Sequence, residues 1–177
     1  MSHNLLITGG AGFIGTNFVH YWLKRHPCDR LIVLDALTYA GNKSNLDIFL
    51  GCENVVFVSG SICDQGLVER LFIEYKIDRV VNFAAESHVD RSILGPDDFV
   101  NTNILGTYIL LKVAKINWLD NPVCNHLFHH VSTDEVYGSL QSEEAAFTES
   151  HPYAPNSPYS ATKAASDHLV RSYNKTY

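Results

Sequence analysis

Residues 5–15 read Leu-Leu-Ile-Thr-Gly-Gly-Ala-Gly-Phe-Ile-Gly, and this stretch decides the fold. Its apolar start predicts a buried strand, and Gly9, Gly12 and Gly15 follow at a regular spacing. Glycine permits a sharp turn and a close approach of the backbone to another group, because it has no side chain. From Phe13 to about residue 26 the apolar residues repeat with helical spacing. A strand, a glycine turn and a helix in this order are typical of nucleotide-binding turns, although ordinary tight turns share the pattern.

Asp35 strengthens the nucleotide interpretation. A second apolar run, residues 31–34, predicts a strand that ends at Asp35, 20 residues after Gly15. A carboxylate at this place accepts a hydrogen bond from a ribose hydroxyl of a dinucleotide, while the helix start binds its phosphates. Because a carboxylate would repel a 2′-phosphate, we expect NAD rather than NADP.

Strands and helices are predicted to alternate along the whole chain. Beyond the first two strands, apolar runs predict strands at residues 55–58, 79–83 and 126–132. Helices are expected at residues 13–26, 64–75, 96–116 and 158–177, with a short one near 45–50. This alternation predicts an α/β fold, a doubly wound and mostly parallel Rossmann sheet with strand order 3-2-1-4-5. We expect one incomplete domain, residues 1–177, truncated before the sixth strand of that fold.

Composition narrows the class of protein. The chain is 46% hydrophobic and 18% charged, with a formal charge of −6 and no basic run, so a nucleic-acid partner is not expected. No signal peptide and no apolar run long enough to span a membrane are evident. Cys28, Cys52, Cys63 and Cys124 lack metal-site spacing and are interpreted as reduced thiols of a cytoplasmic protein.

Residues 133–135 and 159–163 carry the chemistry. Tyr159 and Lys163 are four positions apart, so they share one face of a helix that begins at Pro158. An ammonium beside a phenol favours the phenolate, so we expect the pKa of Tyr159 to fall below its usual value of about 10. Thr133 provides a hydroxyl at the end of the fifth strand, and an Asp and a Glu follow it. These acids suggest removal of a proton and expulsion of a leaving group, although an exposed helix face and a solvated loop explain the same residues more simply.

Histidines near the fifth strand raise the question of a metal. His126 and His130 share one face of that strand and His129 points to the other, with no matching carboxylate or cysteine set. We therefore expect packing and hydrogen bonding from these histidines, and no metal site.

Six stretches together make the chain similar to a known family. The first two are residues 7–15 and 35–42. The other four are Ala-Ala-Glu-Ser-His-Val-Asp-Arg-Ser (84–92), Thr-Asn-Ile-Leu-Gly-Thr (102–107), Ser-Thr-Asp-Glu-Val-Tyr-Gly (132–138) and Ser-Pro-Tyr-Ser-Ala-Thr-Lys (157–163). The chain resembles the N-terminal half of the extended short-chain dehydrogenases/reductases, and within them the dTDP-glucose 4,6-dehydratase family. The runs Glu-Ser-His-Val-Asp-Arg-Ser (86–92) and Thr-Asp-Glu-Val-Tyr-Gly (133–138) are specific to these dehydratases, whereas the glycine run and Tyr-x-x-x-Lys belong to the wider superfamily.

The resemblance implies a reaction and a set of roles. NAD⁺ takes hydride from C4 of the glucosyl unit while Tyr159 accepts the hydroxyl proton, aided by Lys163. Glu135 then removes the C5 proton, Asp134 protonates the departing C6 hydroxyl, and hydride returns to C6. Thr133 and Ser87 orient the substrate together with this acid pair. The implied cofactor-binding residues are Gly9, Gly12, Phe13, Ile14, Gly15, Asp35, Ala36, Leu37, Thr38, Gly41, Ser61, Ile62, Phe83, Ala84, Ala85, Ser87, Thr102, Tyr159 and Lys163.

Two alternatives to this interpretation are a protein without catalytic activity and a related enzyme with a different reaction or substrate. Ser61 stands where the family usually has an acidic residue, and the C-terminal part that grips the nucleotide diphosphate is not seen. A non-catalytic NAD-binding module is therefore one alternative. A related UDP-sugar dehydratase or epimerase is another, but epimerases of the superfamily lack the Asp-Glu pair. The resemblance also implies a homodimer through the helices near 97–116 and 158–177, whose apolar residues would otherwise pack on the sheet.

Overall fold

The computed structural model describes residues 2–49, 51–119 and 125–177, and strands alternate with helices throughout these ranges. A short 3₁₀ helix (Lys43–Phe49) lies after the second strand, a π-helical segment (Val100–Gly106) lies inside the longest helical run, and a second 3₁₀ turn (Asp134–Tyr137) follows the fifth strand. The main elements are β1 (Asn4–Thr8), α1 (Phe13–Arg25), β2 (Arg30–Asp35), β3 (Val55–Ser59), α2 (Gln65–Tyr75), β4 (Arg79–Asn82), α3 (Val89–Leu94), α4 (Asp97–Phe99), α5 (Thr107–Trp118), β5 (Leu127–His130) and α6 (Pro158–Thr176).

The five strands form one parallel sheet in the order β3-β2-β1-β4-β5, which confirms the predicted Rossmann-like topology. Thr8 pairs with Leu34 on one side and with Asn82 on the other. The register therefore aligns the carboxyl ends of the central strands. In open α/β sheets, ligands bind at this edge, where the strand order reverses.

Helices cover both faces of the sheet, which explains why its strands are apolar without alternation. On one face, Leu5, Ile7 and Val33 form a core with α1 and the first 3₁₀ helix. On the other face, Leu6, Ile32 and Val80 pack with α2 and α5. Complete burial of each such side chain contributes roughly 1.5–3 kcal/mol to folding, so the central strands hold the site rigidly.

The helical run near residues 96–116 differs from the single helix that the sequence predicts. It contains the π-helical segment between α4 and α5, and a separate helix, α3, precedes it where a loop was expected. Within the π-helical segment, the buried Asn103 side chain bonds both the N–H and the C=O of Glu86, each at 2.9 Å, and also Thr162. A π-turn bonds residues five apart instead of four, but this segment of seven residues is too short for its apolar spacing to be distinguished in the sequence.

Two strand ends also differ from prediction. β5 ends at His130, whereas the sequence predicts a strand to residue 132. The N–H of the next residue, Val131, still bonds the Asn82 carbonyl at 3.2 Å, but the Val131 carbonyl accepts a hydrogen bond from Lys163 Nζ at 2.6 Å. β3 ends at Ser59, one residue beyond the predicted strand at 55–58.

The remaining expectations concern cysteines and membranes. Cys28, Cys52 and Cys63 are free thiols, whereas Cys124 and Leu50 lie outside the described residues. Over the described ranges, no helix combines the length and apolarity that crossing a membrane requires.

A chain of buried polar groups runs through the sheet and ends on α6. Thr8 Oγ1 donates to Asn82 Oδ1 at 2.5 Å, and Asn82 Nδ2 donates to His130 Nδ1 at 3.1 Å. Because Nδ1 accepts, the proton of neutral His130 lies on Nε2, which is 3.1 Å from Ser166 Oγ on α6. Burial, reinforced by the charges of Lys163 and His129, lowers the pKa of His130 to about 3. Asp167 Oδ1 lies 3.5 Å from Nε2, but a neutral imidazole does not form an ion pair with it.

We expect His130 to make the protein sensitive to acid. Below pH 6.5 the unfolded chain takes up a proton on this residue, but the folded chain does not until about pH 3, so stability falls with pH across this window. Between pH 7 and pH 4.5 the loss attributable to His130 is roughly 2–3 kcal/mol. Urea unfolding of the wild type and of His130→Gln at several pH values measures it, as the pH-dependent part of their difference.

His20→Gln is the matched control, because His20 is exposed on α1 and its charge is not among those that shift the pKa of His130. A His130→Gln variant that lost stability with acid as steeply as the wild type would contradict the prediction.

Candidate functional site

The turn after β1 is built from glycines for steric reasons. Gly9 has a φ of +69°, and its N–H bonds the Leu34 carbonyl at 2.8 Å. A Cβ on Gly9 would lie 2.7 Å from the Ala84 nitrogen, and one on Gly15 would collide with the Gly9 carbonyl oxygen. α1 then begins after Gly12 without a side-chain cap. Its first N–H groups are therefore available to an anionic ligand at the sheet edge.

Asp35 is held rigidly beside this turn. Its side chain accepts from the N–H of Ala11 at 2.9 Å and from the N–H of Leu37 at 2.8 Å, and the residue is only 8% exposed. Gly41 approaches so closely that a Cβ there would lie 2.6 Å from Asp35 Oδ1. Each carboxylate oxygen retains a second lone pair, so the group can accept further hydrogen bonds from a ligand.

One cavity of about 390 Å³ joins the glycine turn to α6 along the carboxyl edge of the sheet. Most of the residues that the sequence analysis assigned to a cofactor line it, and Leu37 does not. The lining also includes six residues outside that assignment: Leu34, Ala40, Gly60, Glu86, Val131 and Ser132. The assigned residues in the lining are Gly9, Gly12, Phe13, Ile14, Gly15, Asp35, Ala36, Thr38, Gly41, Ser61, Ile62, Phe83, Ala84, Ala85, Ser87, Thr102, Tyr159 and Lys163.

Tyr159 lies in the first turn of α6, where the local sequence fixes the start of the helix. Ser157 and Ser160 form a capping box, and Pro158 occupies the first helical position. The Tyr159 N–H, which has no partner within the helix, bonds Ser92 Oγ at 3.2 Å. The Tyr159 residue is 8% exposed, so its ring is positioned from several sides.

The pKa of Tyr159 is raised, which corrects the expectation of a lowered value. Burial of the phenol is the largest cause, and the negative charges of Glu135 and Asp134 add to it. A hydrogen bond from Thr133 acts in the opposite direction. Lys163 does not offset these effects in the ligand-free chain, because its ammonium donates to the Val131 carbonyl at 2.6 Å.

Lys163 is a buried cation at the same end of the cavity. The residue is 4% exposed, and burial lowers its pKa to about 8, partly opposed by the charge of Asp167. The side chain is therefore charged at neutral pH and loses its proton in mildly alkaline solution.

Thr133, Asp134 and Glu135 form the edge of the site. Thr133 caps the 3₁₀ turn by accepting from the Glu135 N–H at 3.3 Å. Both acidic side chains are exposed, and neither lines the cavity. Thr133 lies close enough to lower the pKa of Tyr159, but none of the three residues lines the cavity, and the acid pair is exposed next to Ser132, which does line it.

Two further residues belong to the site but received no role from the sequence. Tyr39 Oη accepts from the Ser87 N–H at 3.3 Å, and its ring lies 4.2 Å from the Arg91 guanidinium, so it joins the loops after β2 and β4. Glu86 is buried and its pKa is raised, chiefly by burial. Both occur in stretches that carry the family resemblance, and this was the only available signal. Across the described ranges, no cluster of His, Cys, Asp and Glu is suited to a metal ion.

Comparison with known proteins shows which family the chain belongs to. A family model described as GDP-mannose 4,6 dehydratase matches residues 6–177. The dTDP-glucose 4,6-dehydratase of Xanthomonas campestris pv. campestris (strain B100) is 55% identical over 175 residues, covering 97% of this chain and 49% of that protein. The dTDP-glucose 4,6-dehydratase of Haemophilus influenzae is 52% identical over 177 residues, covering 98% of this chain and 52% of that protein.

A solved structure agrees with these matches. The crystal structure of the Streptomyces venezuelae dTDP-glucose 4,6-dehydratase with NAD bound gives a TM-score of 0.88 at 49% identity, covering 98% of this chain and 52% of that chain. The chain thus spans about half the length of the relatives it matches.

We expect Lys163 to destabilise the folded chain at neutral pH. Its pKa is about 8 when folded and 10.5 when exposed, so above pH 8 the folded state loses the proton before the unfolded state does. Relative to Lys163→Met, the wild type should therefore gain roughly 2–3 kcal/mol between pH 8 and pH 10.5. Denaturant unfolding at several pH values measures this difference.

Lys175→Met is the control, because Lys175 is exposed at the end of the same helix. A difference between wild type and Lys163→Met that stayed constant from pH 8 upward would refute a buried, destabilised ammonium.

Proposed function

Because the chain belongs to the family described as GDP-mannose 4,6 dehydratase, we propose that it forms the cofactor-binding and catalytic part of a nucleotide-sugar dehydratase. The proposed reaction is the NAD-dependent dehydration of dTDP-glucose to its 4-keto-6-deoxy sugar. One observation carries the proposal: a single cavity joins Asp35 on β2 to Tyr159 and Lys163 on α6. The high identity to dTDP-glucose 4,6-dehydratases supports the choice of substrate.

The residues of the cavity fit NAD. The turn from Gly9 to Gly15 leaves no room for a Cβ and opens onto an uncapped helix start, as a pyrophosphate requires. Asp35 retains acceptor capacity for a ribose diol and would repel a 2′-phosphate. Residues 1–177 are assigned to one NAD-binding Rossmann domain, and no residue of this chain is assigned to the nucleotide base.

We assign the oxidation at C4 to Tyr159, Thr133 and Lys163. NAD, when bound, supplies an acceptor for the C4 hydride that can later return it to C6. The C4 hydroxyl proton passes to Tyr159 Oη after the phenol has given up its own proton to solvent, because the raised pKa keeps the phenol protonated in the ligand-free chain at neutral pH. The Thr133 hydroxyl, whose hydrogen bond favours the phenolate, holds the reacting oxygen in line. Lys163 contributes a positive charge at the same end of the cavity, since its pKa of about 8 keeps it protonated at neutral pH.

We assign the elimination of water across C5 and C6 to Glu135 and Asp134. The ketone at C4 makes the C5 proton acidic, and Glu135 accepts that proton. Asp134 donates a proton to the C6 hydroxyl, which leaves as water. Both side chains are exposed and follow Ser132, which lines the cavity, so they are accessible to a sugar bound there. Ser87, which lines the cavity, is the additional substrate contact.

A cofactor-binding module without turnover is the second candidate. It is favoured by the position of Asp134 and Glu135 outside the cavity lining. A related UDP-sugar enzyme is less well supported, since the relatives described above act on dTDP-glucose by name. The Asp-Glu pair argues against an epimerase.

The proposal extends to a homodimer in the cytoplasm. Leu105 and Tyr108 are exposed on the helical run near 97–116, and Tyr173 is partly exposed on α6, which suits pairing of these helices between two copies. Leu111 is buried, so it packs inside the chain and does not contribute. Sedimentation that showed only monomer at tens of micromolar would reject the dimer. The free thiols are in keeping with a reducing compartment.

We expect calorimetric titration of the chain to show binding of NAD⁺ and much weaker binding of NADP⁺. Asp35→Asn should improve NADP⁺ binding relative to NAD⁺ by about tenfold, because it removes the charge that repels the 2′-phosphate. Glu53→Gln, an exposed acid outside the cavity, is the control. Equal affinities of the wild type for both nucleotides would contradict the assignment of Asp35.

Turnover separates the two candidates. With dTDP-glucose and NAD⁺ in D₂O, the proposed enzyme releases a product that has lost one water and carries deuterium at C5, as mass spectrometry and NMR detect. Glu135→Gln should lower this product by about 10²-fold or more, because the C5 base is lost. Binding of NAD⁺ by the wild type without any product would favour the non-catalytic module.

A further inference from the structure

Successive residues at the end of β5 are tied to α6. His130 Nε2 lies 3.1 Å from Ser166 Oγ, the Val131 carbonyl accepts from Lys163 Nζ, and Ser132 Oγ donates to Asp167 Oδ2 at 2.5 Å. These residues directly precede Thr133. The attachment therefore fixes the start of the acidic loop relative to the helix that carries Tyr159.

Asp167 is the centre of this attachment. Besides Ser132, the Tyr153 hydroxyl donates to Asp167 Oδ2 at 3.0 Å, and His130 Nε2 lies 3.5 Å from Oδ1. The Asp167 side chain is only 13% exposed. An ionised carboxylate accepts hydrogen bonds and donates none, so it suits a position on which donors converge.

Lys163 needs a nearby negative charge. A buried ammonium without a counter-charge costs several kcal/mol, and the Val131 carbonyl supplies only a dipole. The titratable groups around it are Asp167 and Tyr159 on α6 and His130 on β5. His130 is neutral, and Tyr159 is an uncharged phenol at neutral pH because its pKa is raised. Asp167, one helical turn after Lys163, is the carboxylate whose charge acts on it.

We propose that Asp167 is a positioning residue of the active site. Its charge balances that of buried Lys163, and its bond to Ser132 holds the segment that carries Thr133. Asp167 does not line the cavity, so it acts through these two neighbours.

This role deepens the proposed function and depends on it for its catalytic meaning. Oxidation at C4 and elimination across C5 and C6 take place on one sugar ring, so the base on α6 and the acids after β5 must keep a constant separation. An error of about 1 Å in such an arrangement can cost about 10²-fold in rate. Asp167, a carboxylate on α6 that accepts a hydrogen bond from Ser132 after β5, provides that constraint.

The test uses the ligand-free chain, so its outcome does not depend on whether the proposed reaction occurs. NMR of protein labelled at the lysine ε-carbons follows each lysine from pH 6 to pH 10.5, and the spectrum of Lys163→Met identifies the Lys163 signal. The wild-type midpoint is expected at about 8. Asp167→Asn keeps an oxygen acceptor for Ser132 and Tyr153 but removes the charge, so it should lower the midpoint by about one pH unit.

Ser132→Ala is the complementary variant, because it keeps the charge and removes the bond. It should leave the Lys163 midpoint unchanged and accelerate hydrogen exchange of the Val136 amide several-fold, since that amide lies in the turn that Ser132 anchors. If Asp167→Asn does not fold, Asp167→Ser provides the same charge test, and Asp167→Glu should restore the wild-type midpoint. A midpoint in Asp167→Asn equal to that of the wild type would overturn the proposal.

Discussion

The structure depends on one close contact, that between the glycine turn after β1 and the end of β4. Gly9 adopts a left-handed conformation against the backbone of Ala84, and Gly15 lies against the Gly9 carbonyl. Side chains at these positions would push α1 away from the sheet. Because the turn is this tight, the uncapped start of α1 faces the edge at which β2 and β4 also end. Asp35, Ala84 and the first N–H groups of α1 are thereby gathered around one cavity.

From this edge, a series of buried hydrogen bonds crosses the sheet and links β1, β4, β5 and α6. Thr8 bonds Asn82, Asn82 bonds His130, and His130 lies beside Ser166 on α6. Ladder hydrogen bonds and apolar packing hold these strands together, and the side-chain bonds extend the hydrogen-bonded framework from β5 to α6. Hydrogen bonds are directional, so a fully satisfied chain of them specifies one register between the glycine turn and the helix that carries Tyr159 and Lys163. The proposed oxidation needs that register, since the cofactor site and the catalytic tyrosine lie on elements far apart in the chain.

The electrostatics of the site follow from burial more than from the sequence pattern. A Tyr and a Lys four residues apart suggest a lowered tyrosine pKa, yet the pKa of Tyr159 is raised and that of Lys163 is lowered. Both shifts have the same main cause, which is that a buried charge is costly. Lys163 finds its partners in the Val131 carbonyl and in the charge of Asp167. Spacing along a helix shows which side chains share a face, but it does not show which of them is desolvated or where its charge is neutralised.

The sequence by itself determined the parallel sheet, the order of its strands and most residues of the cavity, because glycine spacing, apolar runs and the position of Asp35 are local signals. The sequence also indicated the family, because the resemblance lies in short contiguous stretches. Only the tertiary structure decided that β5 ends at His130, that the 96–116 run contains a π-helical segment, and that Tyr39 joins two loops. It likewise decided that Asp134 and Glu135 face outward and that Asp167 bonds Ser132. These features arise from contacts between residues far apart in the chain, whose burial and bonding partners exist only once the sheet and its helices have packed.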